Sequence, residues 1–369
     1  MTTAQHAETE PRELLEQLVS VPSVTGDERA CAEQLQGYFE RHGREAYIDE
    51  VGNLRAPADD GVLLTSHIDT VPGDIPVRVE EMPHVDVRWG DDEPPTGIEA
   101  AGNVSVLWGR GSVDAKGPLA AMAVAAVRTG ASFAGVVGEE VDSRGGRYLA
   151  EDRPAPEAVI NGEPSGWEGI TLGYRGLLGG TYVATSESGH SSRPDQNAIQ
   201  EGIGWWNRVE AEFSHDEWVP VFERVTPKPV SFDGGMTDDG LSVETTIDVQ
   251  LRVPPEFTTD EVREITDGHL RLGTVHWDDK VEPVMQSPRT PVARAFRAAI
   301  RERGGDPRLL RKTGTSDMNV YAQHWDCPMV TYGPGNSDLD HSPNEHLGLA
   351  EYDETVAILE SVTERLLED

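Results

Sequence analysis

The sequence predicts an α/β domain with a largely parallel β-sheet, interrupted by a smaller α+β domain. In the first 173 residues short apolar runs alternate with helical segments, which is typical of parallel sheets. A strand-rich pattern follows, and the first pattern resumes near residue 284. At 369 residues the chain is also longer than one ordinary hydrophobic core requires, which favours two domains.

The first region begins with two predicted helices, at residues 11–20 and 27–42, and residues that favour helix N-termini precede the second. The next predicted elements are short buried strands at 61–66, 134–138 and 158–160 and an alanine-rich helix at 119–129. Polar residues follow each strand. Because parallel sheets bind ligands beyond the carboxyl ends of their strands, we expect a functional site there.

Residues 174–283 are predicted to form the inserted domain. The predicted elements are a strand at 178–187, a helix at 197–213, strands at 219–232 and 241–253, a helix at 259–270 and a strand at 272–277. This β-α-β-β-α-β order is that of a ferredoxin-like sandwich. The larger domain then comprises residues 1–173 and 284–369.

The charge of the chain excludes some classes of function. The net charge is −35, with 66 acidic residues against 31 basic ones, and the hydrophobic content is only 37%. Molar salt favours such a surface, because a Debye length of about 3 Å screens the repulsion between its charges. We interpret the charge as the solvated surface of a halophilic protein. No basic stripe is present, so we expect no nucleic-acid partner.

Cysteine content and hydropathy indicate where the protein works. The two cysteines, Cys31 and Cys327, are too few for a disulfide framework or a thiolate zinc site. No apolar stretch approaches the roughly 18 residues that a membrane span needs, and the N-terminus lacks the features of a signal peptide. We therefore expect a soluble, cytoplasmic protein without a membrane partner.

Residues of the kinds that bind divalent metals stand at or just beyond the ends of the predicted strands. In chain order they are His67, Asp114, the pair Glu139 and Glu140, Glu163, and His341. Two histidines and three carboxylates suit two zinc-like ions better than one, because a bridging carboxylate lets both be filled. The sixth group, one of the adjacent glutamates, is then free to act as a base toward water. A metal site with a free base beside it indicates a hydrolase.

Each piece of this set also has an ordinary interpretation. His67 and Asp69, taken alone, are more often partners in a local hydrogen bond. Asp114 is a stronger candidate for a ligand, since glycines on both sides of it let the backbone approach a ligand closely. Two adjacent glutamates repel each other unless a cation lies near them, although in so acidic a chain such pairs are often mere surface.

The ordered set resembles that of the M20 family of metallopeptidases and amidohydrolases, which includes acetylornithine deacetylase, succinyl-diaminopimelate desuccinylase and carboxypeptidase G-type enzymes. The resemblance covers essentially the whole chain. It implies a zinc-peptidase-like catalytic domain and an inserted domain that serves as a lid and dimerisation domain. It also implies two Zn²⁺ ions per subunit, for which Co²⁺ can substitute, and a homodimer.

The resemblance assigns roles to individual residues. The implied ligands are His67 and Glu163 for one zinc ion, Glu140 and His341 for the other, and Asp114 as the bridge. Asp69 would orient His67, and Glu139 would be the general base. His190 would reach the active site of the partner subunit and stabilise an oxyanion. The alternative for His190 is a hinge or surface histidine.

Three further segments resemble the hydrolases that release lysine or ornithine from an acidic amino-group carrier protein. The segments are residues 174–176, 312–319 and 332–335. This resemblance implies cleavage of the amide between lysine or ornithine and the C-terminal glutamate of the carrier, in lysine and arginine biosynthesis. The implied substrate-binding residues are Arg175, Arg252, Gly314, Thr315, Ser316 and Asp317.

Arg252 is the candidate for the α-carboxylate of the substrate, since a guanidinium binds a carboxylate through two hydrogen bonds. Its alternative is an ordinary exposed arginine on a strand.

Two other functions stay open at this point. The first is a small-molecule deacylase that acts on N-acetylornithine or N-succinyl-diaminopimelate. Residues 314–317 resemble the corresponding segment of the desuccinylases. In those enzymes, however, Met-Lys-Gly usually follows the bridging aspartate, whereas here Ala-Lys-Gly follows it. The second is a catalytically silent binding module on the same fold. The intact set from His67 to His341 argues against silence, since a protein without activity need not keep a base.

Overall fold

The structure, a computed structural model, describes residues 3–90, 94–95, 102–190, 192 and 194–368. The chain divides into two compact units. The first comprises Met1–Leu172, Gln286–Leu310 and Ser316–Asp369, and the second comprises Gly173–Met285 and Arg311–Thr315.

The division predicted from the sequence assigned residues 311–315 to the larger domain, whereas here they lie with the second unit. The backbone N–H of Arg175 donates to the carbonyl of Lys312 (3.3 Å), and the Nε of Arg175 donates to the carbonyl of Thr313 (3.0 Å). These contacts with the start of the second unit account for the difference.

The bounds of the elements are as follows. The helices are α1 Thr3–Val19, α2 Arg29–Arg41, α3 Lys116–Thr129, α4 Arg144–Asp152, α5 Ala198–Glu212, α6 Thr259–Asp267, α7 Pro291–Glu302, α8 Asp317–His324 and α9 Leu349–Glu368. The strands are β1 Tyr47–Ile48, β2 Leu54–Ala56, β3 Asp59–His67, β4 Arg78–Pro83, β5 Asn103–Trp108, β6 Ala131–Val136, β7 Val159–Gly162, β8 Gly166–Tyr174, β9 Gly176–Glu187, β10 Thr226–Met236, β11 Ser242–Val253, β12 Thr274–Val281, β13 Val284–Met285, β14 Arg308–Lys312, β15 Met329–Gly333 and β16 His346–Gly348.

The central sheet of the first unit runs in the order β1-β2-β6-β3-β7-β15-β8. Its four middle strands, β6, β3, β7 and β15, are mutually parallel, and the outer pairings are antiparallel. The middle strands are buried along most of their length, as expected where helices cover both faces of a parallel sheet. The predicted α/β class with a mostly parallel sheet is confirmed.

The alanine-rich helix α3 packs on this sheet. It is buried from Lys116 to Ala126, because alanine side chains let the helix approach the sheet and α9 closely. It ends at Gly130, whose φ of 85° lies in the left-handed region that glycine tolerates at a helix C-terminus. The core around α3 also includes apolar residues of α1, α2 and α9.

Several strand boundaries differ from the sequence prediction, and the structure shows a cause for two of these differences. The strand predicted at 134–138 is β6, which ends at Val136, because Gly138 has a φ of 79° and its carbonyl accepts hydrogen bonds from the N–H groups of Asp142 and Ser143. The strand predicted at 219–232 is β10, which begins at Thr226, because a short 3₁₀ turn occupies the residues after Pro220.

The second unit contains an antiparallel sheet in the order β10-β11-β9-β12, with helices α5 and α6. The chain order of these elements is the β-α-β-β-α-β order predicted for the inserted domain. Capping boxes begin both helices, with Asn197 before α5 and Thr258 before α6. Tyr182 stacks on Trp205 in the core of this unit, with ring centroids 4.5 Å apart.

Among the described residues, no helix combines the length and the apolar character that crossing a membrane requires.

Replacing Leu64 with alanine tests the core assignment. Leu64 is fully buried in β3, so the variant leaves a cavity and loses about 2–5 kcal/mol of unfolding free energy. Guanidinium-induced unfolding measures the loss. The control is Val85→Ala, whose side chain is 73% exposed in the native protein and whose loss is expected to be below about 0.5 kcal/mol. Equal losses in both variants contradict the placement of β3 in the core.

Candidate metal centre

The parallel strands carry most of the predicted ligands to one edge of the central sheet. His67 is the last residue of β3, Glu139 and Glu140 follow β6, and Glu163 follows β7 directly. His341 lies in the loop after β15. Because these four strands are parallel neighbours, their carboxyl ends meet at the same edge, and residues far apart in the sequence come together there.

One group of ligands forms around His67. The Nε2 atom of His67 lies 3.1 Å from Oδ1 of Asp114 and 3.9 Å from Oε2 of Glu163. One ligand atom from each of these residues lies within 4.8 Å of the others, so the group can hold a metal ion.

A second group forms around His341. Its Nε2 atom lies 2.9 Å from Oε2 of Glu140 and 3.3 Å from Oδ2 of Asp114, and the ligand atoms again lie within 4.8 Å of one another. Asp114 therefore belongs to both groups and offers a different oxygen to each. The backbone of His341 has a φ of 59°, which is uncommon outside glycine, so the loop holds this ligand in a specific conformation.

The donor atoms of the two groups fit divalent ions of the zinc type, because imidazole nitrogen and carboxylate oxygen are the ligands such ions take. One observation supports the fit directly. The Oε1 atom of Glu140 is buried, and it has no hydrogen-bond partner among the described residues. A buried carboxylate oxygen without a partner is costly, and a bound cation removes that cost.

The protein groups of the site favour bound positive charge. Burial raises the pKa of Glu139 and Glu163 well above the ordinary range, and burial with the charge of Asp114 raises the pKa of Glu140 to about 7. The hydrogen bond to Asp114 raises the pKa of His341 to about 9. Carboxylates this close together stay ionised only beside cations, so bound metal ions would stabilise the ionised site.

Asp69 organises the surroundings of the ligands. It is fully buried, and its carboxylate accepts hydrogen bonds from the backbone N–H groups of Glu139 (3.1 Å) and Glu140 (3.2 Å) and from the hydroxyl of Thr25 (2.8 Å). Nδ1 of His67 lies 2.9 Å from the backbone carbonyl of Asp69 and 3.5 Å from its carboxylate. A proton on Nδ1 leaves Nε2 free to bind a metal.

The loop before Asp114 requires a small residue where the chain passes close to its neighbours. Gly111 has a φ of 82°, and a Cβ atom there would lie 2.8 Å from Cγ2 of Thr70.

Glu139, among the described residues, belongs to neither ligand group although it stands beside Glu140.

The substrate-binding residues predicted near residue 316 have different surroundings. Gly314 and Thr315 lie in the second unit, where Gly314 is exposed. Ser316 caps helix α8 and accepts a hydrogen bond from the N–H of Met318 (3.3 Å). The side chain of Asp317 is only 1% exposed, and burial raises its pKa to about 6.

The two arginines predicted to bind substrate differ from each other. The guanidinium of buried Arg175 donates to the carbonyls of Thr313 and Val221 and to the hydroxyl of Thr226, so it joins segments of the second unit. Arg252 lies on β11 opposite Thr226 of β10. Its Nη1 atom is buried and has no hydrogen-bond partner in the described part of the chain.

His190 belongs to the second unit and is exposed there, with its Nδ1 atom 2.8 Å from the hydroxyl of Ser192.

Glu345 is a fully buried residue that was not among the predicted site residues, and it accepts hydrogen bonds from the backbone N–H groups of Val113 and Asp114. The only signal in the sequence is its position four residues after His341 in a proline-containing loop.

Comparison with known proteins identifies the family. The model of the family described as Peptidase family M20/M25/M40 matches residues 63–365. The LysW-lysine hydrolase of Deinococcus radiodurans is 38% identical, over 96% of this chain and 97% of its own length. The LysW-lysine/LysW-ornithine hydrolase of Sulfurisphaera tokodaii is 28% identical, over 92% of this chain and 91% of its own length.

Solved structures share the fold at low sequence identity. The aminopeptidase PepT from Bacillus cereus has a TM-score of 0.75 at 19% identity, with 97% of this chain and 98% of that chain covered. The YXEP protein from Bacillus subtilis, a dinuclear metal-binding peptidase of the M20 family, has a TM-score of 0.67 at 13% identity, with 99% of each chain covered. The chain therefore belongs to the peptidase family M20/M25/M40 and is a metal-dependent amidohydrolase.

Proposed function

We propose that this enzyme is a dinuclear zinc hydrolase that releases lysine or ornithine from the C-terminal glutamate of an amino-group carrier protein, in lysine and arginine biosynthesis. The observation that carries the dinuclear part is the position of Asp114, whose two oxygens face two different histidines. The observation that supports the substrate is the name of relatives that match nearly the whole chain, LysW-lysine and LysW-lysine/LysW-ornithine hydrolases.

In this proposal Zn²⁺ occupies both groups, and Co²⁺ can replace it. The ligands would be His67 and Glu163 for one ion, Glu140 and His341 for the other, and Asp114 for both. Two such ions lower the pKa of a water molecule and polarise the carbonyl of the amide to be cleaved.

The chain itself moves the protons. Glu139 removes a proton from the attacking water and returns it to the departing α-amino group of lysine or ornithine. Asp69 keeps Glu139 in place through the hydrogen bond that its carboxylate accepts from the Glu139 backbone N–H. His190 from the partner subunit donates a hydrogen bond to the tetrahedral oxyanion.

Replacing Glu139 with glutamine tests its assignment as the base. The variant is expected to bind two zinc ions with wild-type stoichiometry while kcat falls by about 10²–10⁴-fold, because glutamine accepts no proton. Metal analysis and steady-state kinetics measure the two properties. Glu140→Gln is the matched control, since it removes a ligand oxygen and is expected to lose bound zinc. Turnover by Glu139→Gln within about tenfold of wild type rules out the assigned role.

Recognition of the substrate requires a partner for its α-carboxylate. We propose Arg252, because a guanidinium with a buried Nη1 atom that has no hydrogen-bond partner among the described residues is prepared to bind a carboxylate. Further substrate-binding residues are proposed to be Arg175, Gly314, Thr315, Ser316 and Asp317. The contacts of Arg175 with backbone carbonyls indicate that it acts by supporting the site.

A comparison of substrates tests the proposed reaction. Zinc-loaded enzyme is given carrier-linked lysine, carrier-linked ornithine, N-acetylornithine and N-succinyl-diaminopimelate, and kcat/KM is measured for each. We expect the highest value for one of the carrier-linked substrates, and their ratio assigns lysine or ornithine. A higher value for either small molecule identifies a deacylase instead. Zinc-loaded protein that turns over none of the four matches the silent binding module.

The charge and the proposed pathway suggest where the reaction takes place. We propose that the enzyme works in the cytoplasm, where amino-acid biosynthesis takes place, and in molar salt. The net charge of −35 opposes binding of an acidic carrier at low ionic strength, and salt screens that repulsion.

A homodimer is the proposed assembly, with the second unit as the lid and dimerisation domain. Strand β10 supports this proposal because, in the described part of the chain, it lies at the edge of its sheet and pairs only with β11. The edge strand and the turn after it expose apolar side chains: Val230 is 57% exposed, Met236 66% and Leu241 69%. An edge of this kind is a template for pairing with a second copy.

Mixed dimers test whether His190 acts across the subunit interface. We expect His190→Ala and Glu139→Gln chains to lose most of their activity when each is assayed alone. Their mixture contains dimers in which one site has an intact Glu139 and receives an intact His190. With free exchange of subunits we expect about a quarter of the wild-type activity, since half of the dimers are mixed and each has one working site. A mixture as inactive as its components shows that His190 does not complete the partner's site.

A further inference from the structure

We infer that Glu345 is a positioning residue that fixes the bridging carboxylate of Asp114 and, through it, the pairing of two metal ions. This inference rests on the proposed dinuclear site. Glu345 binds no metal in this arrangement; it holds the main chain from which the bridging ligand projects.

Asp114 needs such support more than His67 and Glu163 do. His67 ends a strand of the central parallel sheet, and Glu163 follows another directly, so the hydrogen-bond ladder of that sheet sets their positions. Asp114 instead follows β5, which belongs to a separate three-stranded sheet in the order β16-β5-β4. Five residues separate the end of β5 from Asp114. The ladder of the central sheet therefore does not determine where the bridge lies.

Glu345 supplies the missing constraint. Its Oε1 atom accepts hydrogen bonds from the backbone N–H groups of Val113 (2.9 Å) and of Asp114 itself (3.1 Å). Its Oε2 atom accepts a hydrogen bond from Nη1 of Arg110 (2.9 Å), and its backbone carbonyl accepts one from the N–H of Gly109 (3.5 Å). One residue thus binds the loop before Asp114 at four points.

The contacts of Glu345 are also well enclosed. Its side chain is fully buried, and that of Arg110 is only 13% exposed, so water does not compete strongly for the ion pair. Arg110 is held in turn by the carbonyl of Gly73, which accepts a hydrogen bond from its Nε atom (3.0 Å). Glu345 immediately precedes β16, whose His346 pairs with Trp108 at the end of β5. Both ends of the Asp114 loop therefore meet at Glu345.

The position of the Asp114 main chain affects both metal groups, because each carboxylate oxygen faces a different histidine. Oδ1 of Asp114 lies 3.1 Å from His67, and Oδ2 lies 3.3 Å from His341. A shift or rotation of the Asp114 main chain changes both distances together. Loss of Glu345 is therefore expected to affect the two metal groups at once and not only the stability of the fold.

Glu351 provides a matched control for a merely structural effect. It is also a buried glutamate, with 1% exposure, and it also accepts hydrogen bonds from backbone N–H groups, those of Gly90 (3.2 Å) and Gly335 (3.0 Å). Neither Gly90 nor Gly335 is a ligand or adjoins one in the sequence. Glu351→Gln therefore perturbs a similar buried network without removing a hydrogen bond to the Asp114 loop.

The experiment compares Glu345→Gln and Glu351→Gln with wild type after loading with Mn²⁺. In Glu345→Gln one side-chain oxygen becomes an NH₂ group, which accepts no hydrogen bond. The glutamine side chain therefore cannot accept hydrogen bonds from both the loop and Arg110. Calorimetry measures the number of bound ions and their Kd. Electron paramagnetic resonance detects the exchange-coupled signal of two Mn²⁺ ions that share a bridging ligand, and circular dichroism confirms folding.

We expect Glu345→Gln to bind at least one ion about 10–100-fold more weakly and to lose the coupled signal, as other residues that hold metal ligands do when replaced. Glu351→Gln is expected to keep two ions and the coupled signal even where its melting temperature falls. Wild-type affinities and a coupled signal in Glu345→Gln overturn the inference, and so do equal losses in both variants.

Two further outcomes have defined meanings. If Glu345→Gln does not fold, Glu345→Asp replaces it with the same expectation and the same contradicting result, because the shorter side chain keeps the charge but not the reach. Wild-type protein that binds one ion contradicts the proposed dinuclear function. The positioning role is then judged by the Kd of that ion, so the two failures are distinguishable.

Discussion

The shared carboxylate of Asp114 is the interaction on which the site depends. One of its oxygens faces His67 and the other faces His341, so a single side chain joins two ligand groups into one centre. Around it, burial raises the pKa of Glu139 and Glu163 well above the ordinary range. So many carboxylates in a buried place stay ionised only with cations among them, and this supports the proposal that the site binds metal.

The fold meets this requirement in two ways. Four parallel strands lead to His67, Glu140, Glu163 and His341 at one edge of a sheet. The ladder of hydrogen bonds sets the positions of His67 and Glu163, and loops beyond the strands carry the other two. The bridge comes from outside that sheet and is held by side chains that bind its backbone. Asp69 and Glu345, two buried carboxylates that accept hydrogen bonds from backbone N–H groups, hold the main chain of the proposed ligands and of the proposed base.

The sequence predicts the α/β class and the order of its elements because short apolar runs and their periodicity depend on local composition. The same reasoning explains why His67 and Glu163 stand out, since each adjoins a buried strand. It does not reveal Glu345, which contacts Val113 across more than two hundred residues and leaves no local pattern. Nor does it show that Arg175 binds backbone carbonyls, because an arginine that supports a fold and one that binds a substrate have the same local sequence.

Anomalous scattering at the zinc edge, measured on crystals of the zinc-loaded protein, tests whether Asp114 bridges two metal ions. We expect two peaks about 3.5–4 Å apart, as in other two-metal sites, with one oxygen of Asp114 bound to each. One peak should lie beside His67 and Glu163, and the other beside Glu140 and His341. A single peak, or two peaks of which only one contacts Asp114, would rule out the bridging role.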